Sequence, residues 1–266
     1  MTRLITEWIS EMEETAKAWD GRLKEITGHG YVEIAAAVSG HSVEEVAEAS
    51  ETMTVAVTPI TSGLGVIGNF SESVAAIVKA MGFRAFVTGT TDVDGMYEAK
   101  VRGADLVFAA DDNRYIALNF NNGKVSDNNI ATAAGYAELL RETAGNLNDK
   151  PAAVLGYGIV GQLLAGRLAE YGAKVNVYDR DRAKKELVDR DGYLWIERGK
   201  LSEYRYIADA TCEGGWLSSR ELAEDAFMAA PGIPLSLDEE SREKMPCRYI
   251  HDMLEIGTAA MVGMAL

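Results

Sequence analysis

The sequence predicts an α/β protein in two parts, each organised around a parallel sheet. Three observations carry this. Strand-like and helix-like segments alternate from residue 53 to 110 and again from residue 152 onward. The stretch NLNDKP at 146–151, rich in turn formers and closed by Pro151, separates the two runs as a linker. The pattern G-x-G-x-x-G occurs once in each part, as Gly63, Gly65, Gly68 and as Gly156, Gly158, Gly161. Alternation of this kind predicts strands joined by helical crossovers, and hence parallel pairing. The expected domains are residues 1–148 and 149–266.

Along the first part, Leu4, Ile5, Trp8, Ile9, Met12 and Ala16 recur at helical spacing. The break TGHG follows, then the helical segments YVEIAAAVSG and HSVEEVAEAS, the second capped by Ser42. MTVAVTPI reads as a strand, SESVAAIVKAMG as a helix with Ser71 as N-cap and Gly82 as its stop, and RAFVTG as a second strand. The helix DGMYEAKVRGA and the strand DLVFAA complete the alternation. DDNRYIALNFNNGKVSDNN, dense in Asn, Asp and Gly, reads as turns, and IATAAGYAELLRETAG as a long helix. The second part reads strand AAVLGYG, helix IVGQLLAGRLAEYG, strand KVNVYD and helix RDRAKKELVDR, with later strands at YRYIADA, AFMAA and CRYIH. Ser236 is the expected cap of SLDEESREKM, and IGTAAMVGMAL is an apolar helix of small residues.

Composition narrows the function. A hydrophobic fraction of 47% and a charged fraction of 25% are ordinary for a globular protein. No apolar run reaches the roughly 18 residues of a membrane helix, and MTRLITEWISEMEE has no signal-peptide core. Two cysteines, Cys212 and Cys247, form no C-x-x-C pair, which suits a reducing, cytoplasmic setting and no zinc knuckle. A net charge of −15 disfavours nucleic acid and anionic membranes as partners. It serves solubility and favours cationic small molecules.

The second glycine motif meets every requirement of a dinucleotide site. Gly156 follows its strand directly, Gly158 lets backbone approach a diphosphate, and Gly161 lets the helix pack on the strand. Ile159 and Val160 open that helix, whose free N–H groups suit phosphate. Asp179 closes the next strand, where an acid accepts the ribose hydroxyls and disfavours a 2′-phosphate. The cofactor expected is therefore NAD, in a Rossmann-type domain. Arg180 stands beside Asp179, with Arg182 two residues on, and arginines there can instead accept that phosphate; Arg180 and Thr211 are placed with the cofactor set. The first motif lacks the acid, since its next strand ends at Thr88 and Gly89, and its glycines are displaced from their strand by TPITS. It is expected to form a nest for a smaller anion or a packing turn.

Outside the glycine motifs, Asp111 and Asp112 fall at a strand's carboxyl end, where open sheets bind ligands. They suit an ammonium group or a base as well as a solvated turn. Asn128 is a helix cap or a substrate hydrogen-bonding group, and His251 and Asp252 end the last strand. No metal-ligand spacing or Ser-His-Asp order is present.

Taken together, VTPITSGLGVIGNFSESVAAI, DVDGMYEA, ADDNRYIALNFNNGKVSDNN, VLGYGIVG with YDRD, APGIP and IGTAAM resemble the PylD family of pyrrolysine-biosynthesis dehydrogenases, from about residue 20 to the end. The resemblance implies NAD-dependent oxidation of the isopeptide of lysine and 3-methyl-D-ornithine, at the terminal amine carbon. Loss of ammonia and closure of the pyrroline ring would follow. It implies a substrate pocket of Leu4, Ser62, Asp111, Asn128 and Asp252, with Asp111 and Asp252 as the catalytic acids. At 252 the family pattern is a glutamate followed by proline, whereas this chain reads HDMLEIGTA. The rival readings are a dehydrogenase of another diamino acid and a non-enzymatic NAD(H)-binding module. A homodimer is expected, through the terminal helix or the acidic N-terminal helices.

Overall fold

The computed structural model describes residues 4–266 and divides into two compact units. The first takes residues up to Glu25, His29–Gly135 and Met253–Leu266; the second takes Ile26–Gly28 and Tyr136–Asp252.

The first unit opens with α1 (Thr6–Ile9), α2 (Met12–Thr27, its last residues in the second unit), α3 (Tyr31–Ser39) and α4 (Val43–Thr52). Ser42 caps α4 as expected: its hydroxyl accepts from Glu45 N–H at 3.1 Å while Glu45 Oε2 accepts from Ser42 N–H at 2.7 Å. This reciprocal pair satisfies two orphan donors at once. Next come β1 (Thr54–Pro59), α5 (Phe70–Ala80), β2 (Arg84–Val87), α6 (Asp92–Val101) and β3 (Leu106–Ala110). β1 pairs in parallel with β2 and with β3. The cap of α5 differs from expectation: the helix starts at Phe70 behind Asn69, which holds φ +63°, and Ser71 lies buried inside the helix.

The turn-rich stretch after β3 is in fact an antiparallel meander, β4 (Tyr115–Asn119) and β5 (Val125–Asp127). The sheet order is β2-β1-β3-β4-β5. Tyr115, Ala117 and Asn119 are buried on one face of β4 while Ile116 and Leu118 are half-buried on the other, a period of two that the surrounding Asn and Gly residues obscure. α7 (Asn128–Ala144) then leaves this unit after Gly135.

The second unit contains β6 (Pro151–Leu155), α8 (Ile159–Glu170), β7 (Lys174–Tyr178), α9 (Lys185–Arg190), β8 (Leu194–Trp195), β9 (Tyr206–Asp209), β10 (Phe227–Ala229), α10 (Glu239–Lys244) and β11 (Tyr249–Ile250). Pro151 begins β6, where its missing N–H costs no ladder bond. All six strands are parallel, in the order β11-β10-β9-β6-β7-β8. This is the doubly wound Rossmann arrangement, whose strand order reverses between β6 and β9. The cap of α10 is Asp238, which accepts from Ser241 N–H at 2.8 Å; Ser236 is fully buried upstream of it.

The last helix, α11 (Glu255–Ala265), returns to the first unit, although the sequence grouped it with residues 149–266. It covers the sheet face that carries Tyr115 and Asn119: Tyr115 Oη and Thr258 Oγ1 lie 2.9 Å apart, and Asn119 Nδ2 donates to Ala265 O at 2.8 Å. Gly263 presses on α3, where an added Cβ would stand 2.1 Å from Ala35 O. The helix is buried from Glu255 to Gly263 within its own unit, so its small residues serve intrachain packing and are not exposed for a dimer. On the other face, Ala99 of α6 packs with Ala56 and Val107. Among the described residues, no helix is long and apolar enough to cross a membrane.

Candidate functional site

Within the first unit, the carboxyl ends of β1 and β3 are tied together. Gly63, at φ +74°, lies so close to Asp112 that a Cβ there would sit 2.1 Å from Asp112 Oδ2. The same oxygen accepts from Leu64 N–H at 2.6 Å. The first glycine motif is therefore a nest for a carboxylate, and the carboxylate it takes is the chain's own Asp112. This holds exposed Ser62 next to the acid pair. Thr61 is anchored on the other side, donating to Asp92 through its N–H at 2.8 Å and its hydroxyl at 2.6 Å.

Asp111 shapes the β3–β4 turn. Its Oδ1 accepts from Asn113 N–H at 2.8 Å and from Arg114 N–H at 2.7 Å. Those two backbone donors hold its carboxyl below the usual range, so it is ionised near neutral pH. Such a group suits an ammonium ligand better than proton abstraction. Arg114 then reaches Asp127, with Nη1 2.7 Å from Oδ2. Asp127 Oδ1 in turn accepts from Asn129 N–H at 2.9 Å. The acid at 127 thus serves the start of α7, and the Asn128 side chain is left for other work. Asn128 Oδ1 accepts from Thr132 Oγ1 at 3.1 Å and lies beside the first turn of α11, 2.8 Å from where a Cβ on Gly257 would be. The chain Asp111–Arg114–Asp127–Asn128 places two expected site residues at one edge of the sheet. Leu4 is buried, and Thr6, two residues on, borders the glycine loop at Gly68.

In the second unit, the glycines of the second motif each have a distinct geometric role. Gly156 is at φ +82°, and its Cβ would meet Ala210 and Thr211 backbone at 3.1 Å. Gly161 is tighter still, with a Cβ 1.8 Å from Gly156 O. Gly158 has nothing within 4 Å of that position, leaving an open approach at the start of α8. Ile159, the first residue of α8, is exposed there and Val160 half-buried. These features fit a diphosphate over the helix N-terminus, at the reversal of strand order.

Asp179 follows β7 with both oxygens already oriented: Oδ2 accepts from Tyr157 N–H at 2.7 Å and Oδ1 from Asp181 N–H at 2.8 Å. The remaining lone pairs suit two ribose hydroxyls. Arg180 is ion-paired with Glu213, and Arg182 with Glu197 at 2.9 Å. Thr211 sits past β9, its N–H and hydroxyl donating to Asp209 Oδ1 at 3.0 and 2.7 Å. Trp216 Nε1 donates to Thr211 Oγ1 at 3.3 Å. His251 is structural: its Nδ1 is 2.9 Å from Ala230 O, and desolvation lowers its pKa, so the ring is neutral and donates to that carbonyl. Asp252 is 8% exposed, and its N–H donates to Tyr136 Oη at 3.0 Å.

Three buried acids escaped the sequence reading: Glu138, Asp209 and Glu255. Glu255, 7% exposed, opens α11, and desolvation raises its pKa. In the sequence it is one of 41 acids, and only the burial of the helix it begins sets it apart.

The resemblance to known proteins agrees with this division. Residues 9–126 match the family described as the N-terminal domain of pyrrolysine biosynthesis protein PylD. A pyrrolysine synthase of Methanosarcina barkeri is 34% identical over 91% of this chain and 90% of its own length. One from Methanosarcina acetivorans is 36% identical over 78% of this chain and 80% of its own. Among solved structures, shikimate dehydrogenase from Aquifex aeolicus shares the fold at a TM-score of 0.53, with 12% identity, over 80% of this chain and 91% of that one. The chain belongs to the PylD family, that of the pyrrolysine synthases.

Proposed function

We propose that this protein is an NAD-dependent dehydrogenase of pyrrolysine biosynthesis. It oxidises the terminal amine carbon of the lysine–3-methyl-D-ornithine isopeptide, with release of ammonia and closure of the pyrroline ring. The observation that carries the reading is the cradle formed by Gly156, Gly158, Gly161 and oriented Asp179, in a chain of this family. Nicotinamide supplies the hydride acceptor. The chain's residues bind, orient and exclude water. Asp179 takes the adenosine ribose, and a 2′-phosphate is disfavoured twice: by the acid's charge, and because Arg180 and Arg182 are already engaged by Glu213 and Glu197.

On the substrate side, ionised Asp111 holds an ammonium group by a charge-assisted hydrogen bond. Asn128 and the Ser62 loop supply hydrogen bonds to the carboxylate or amide. Leu4 lends apolar surface that lowers the pKa of a bound amine, so that hydride leaves a carbon bearing neutral nitrogen. Asp252, partly sheltered from water, is the second acid available to a proton. The imine formed on the substrate then adds water and loses ammonia. The remaining amine condenses with the aldehyde, expelling water and closing the ring. The protein acts as a homodimer in this reading, and sedimentation at micromolar concentration tests that.

The direct test is NADH formation at 340 nm with the isopeptide and saturating NAD⁺; silence with pure substrate overturns the reading. Asp179→Ala should weaken NADH binding by about 10- to 100-fold, the worth of roughly 1.5–3 kcal/mol of hydrogen bonding to a charged group. NADPH should lose far less, as fluorescence titration of both will register. Gly158→Ala should separate binding from stability: the site is open and its φ of −82° is ordinary, so the melting temperature stays within a degree or so while nucleotide affinity drops. Asp111→Asn keeps the turn's acceptor and removes the charge. It should lower kcat/KM by roughly 10- to 100-fold and leave NADH affinity unchanged.

A further inference from the structure

Asp209 is fully buried at the last position of β9, where a carboxyl group is costly to hold. Its Oδ1 accepts from Thr211 N–H at 3.0 Å and from the Thr211 hydroxyl at 2.7 Å. Among the described residues, its Oδ2 has no hydrogen-bond partner and the side chain has no ion-pair partner. The buried Ser236 hydroxyl is near enough to lower the acid's pKa, yet it stands outside hydrogen-bond geometry. Desolvation outweighs these neighbours and raises the pKa. Both hydrogen bonds that the carboxyl makes go to Thr211, so Thr211 is what Asp209 fixes.

Thr211 stands against the dinucleotide turn. A Cβ on Gly156 would lie 3.1 Å from Thr211 N, and one on Gly232 would lie 2.0 Å from Thr211 O. Gly232 N–H donates in turn to Asp209 O at 3.0 Å. The Thr211 backbone is thus held between the glycine turn after β6 and the loop after β10. Its hydroxyl is almost fully committed as well. A threonine hydroxyl has one proton and two lone pairs. The proton goes to Asp209, one lone pair takes Trp216 Nε1–H at 3.3 Å, and one lone pair is left. The sheet order says which half of a dinucleotide can reach it. β9 and β7 flank β6 on opposite sides, so their ends are about 10 Å apart, two strand spacings. A dinucleotide whose adenosine ribose is taken by Asp179, after β7, has its other half on the β9 side. All these residues belong to the second unit.

We infer that Asp209 is a positioning residue of the cofactor site, which turns the Thr211 hydroxyl proton inward and leaves its free lone pair for an O–H or N–H donor of the nicotinamide riboside. The inference rests on the proposed function. Asp209 acts through Thr211 and touches no nucleotide itself. Because burial favours the neutral acid, asparagine is the conservative replacement: it keeps the Oδ1 acceptor and removes only the charge.

The test is calorimetric titration with NADH and with ADP, which carries the adenosine and diphosphate but no nicotinamide riboside. Asp209→Ala should weaken NADH binding by about tenfold or more and leave ADP affinity within about threefold of the wild type. Asp209→Asn should restore NADH binding to within about threefold. A general disturbance of the unit would weaken both ligands alike, and asparagine would not rescue a role that needs the charge. If Asp209→Ala does not fold, Thr211→Val carries the comparison, since it keeps the shape and removes the hydroxyl on which Asp209 acts; it too should weaken NADH by about tenfold and spare ADP. Wild-type NADH affinity in either Asp209→Ala or Thr211→Val, equal losses for NADH and ADP, or an asparagine variant as weak as the alanine one would each overturn the assignment and leave the proposed function standing. A wild-type protein that binds neither nucleotide would overturn the proposed function, and the Asp209 assignment with it.

Discussion

Alanine at position 161 should abolish dinucleotide binding. The Cβ it adds would lie 1.8 Å from Gly156 O and 2.9 Å from Gly156 C. Non-bonded atoms of this kind rest about 3.5 Å apart, so α8 and the turn after β6 must separate by more than about an ångström. Neither side can yield cheaply. The obstacle is backbone, and Gly156 is itself held at φ +82° against Ala210 and Thr211. The movement opens the turn over which the diphosphate would lie, and carries Tyr157 N–H away from Asp179. The expected result is a loss of NADH affinity of 100-fold or more, about 2.7 kcal/mol, read by fluorescence titration. Binding within threefold of the wild type would mean that the nucleotide does not use this turn.

Gly263→Val should be the most damaging change for stability. A Cβ at 263 would stand 2.1, 2.6 and 2.8 Å from the O, C and Cα of Ala35, all backbone atoms of α3. Overpacking a close helix crossing costs typically 1–3 kcal/mol, and backbone-to-backbone contact puts this case at about 3 or above. For a chain of this size that corresponds to a fall of roughly 6–12 °C in melting temperature. Gly166 offers the control: it also lies within a helix, α8, but no atom lies within 4 Å of its Cβ position, so Gly166→Ala should be neutral or slightly stabilising. Equal effects at both positions would show that the α3–α11 crossing is not what limits stability.

The contrast between legible and hidden features follows from how local each one is. The strand–glycine–helix unit of the second part was legible because its constraints lie within a short stretch: a strand, three glycines, a helix start and an acid after the next strand. The first glycine motif lacks that acid, since its next strand runs into Thr88 and Gly89. What its nest holds was not readable, since Asp112 is 48 residues from Leu64 in the chain. The β4–β5 meander was missed because Asn121, Asn122 and Gly123 dominate a stretch whose alternation lasts only five residues. The caps at Asn69 and Asp238, in place of Ser71 and Ser236, are shifts of two residues among neighbours of similar propensity. The destination of the last helix was unreadable for a different reason. Its small apolar residues declare that it is buried but carry no record of which sheet buries it, and Glu255 went unnoticed with it.

That destination also bears on how the protein is made. The sheet and helices of the first unit leave the ribosome first, yet the helix that covers Tyr115, Asn119 and Ala35 is translated after the whole of residues 136–252. Folding during synthesis usually proceeds from the N-terminus, one domain at a time. Here the order is inverted. The Rossmann unit, nearly continuous in sequence, can close while the earlier unit waits with an apolar face uncovered, and the first unit is completed last. A nascent chain halted before residue 253 would hold the parallel sheet of the second unit and still expose the face meant for α11.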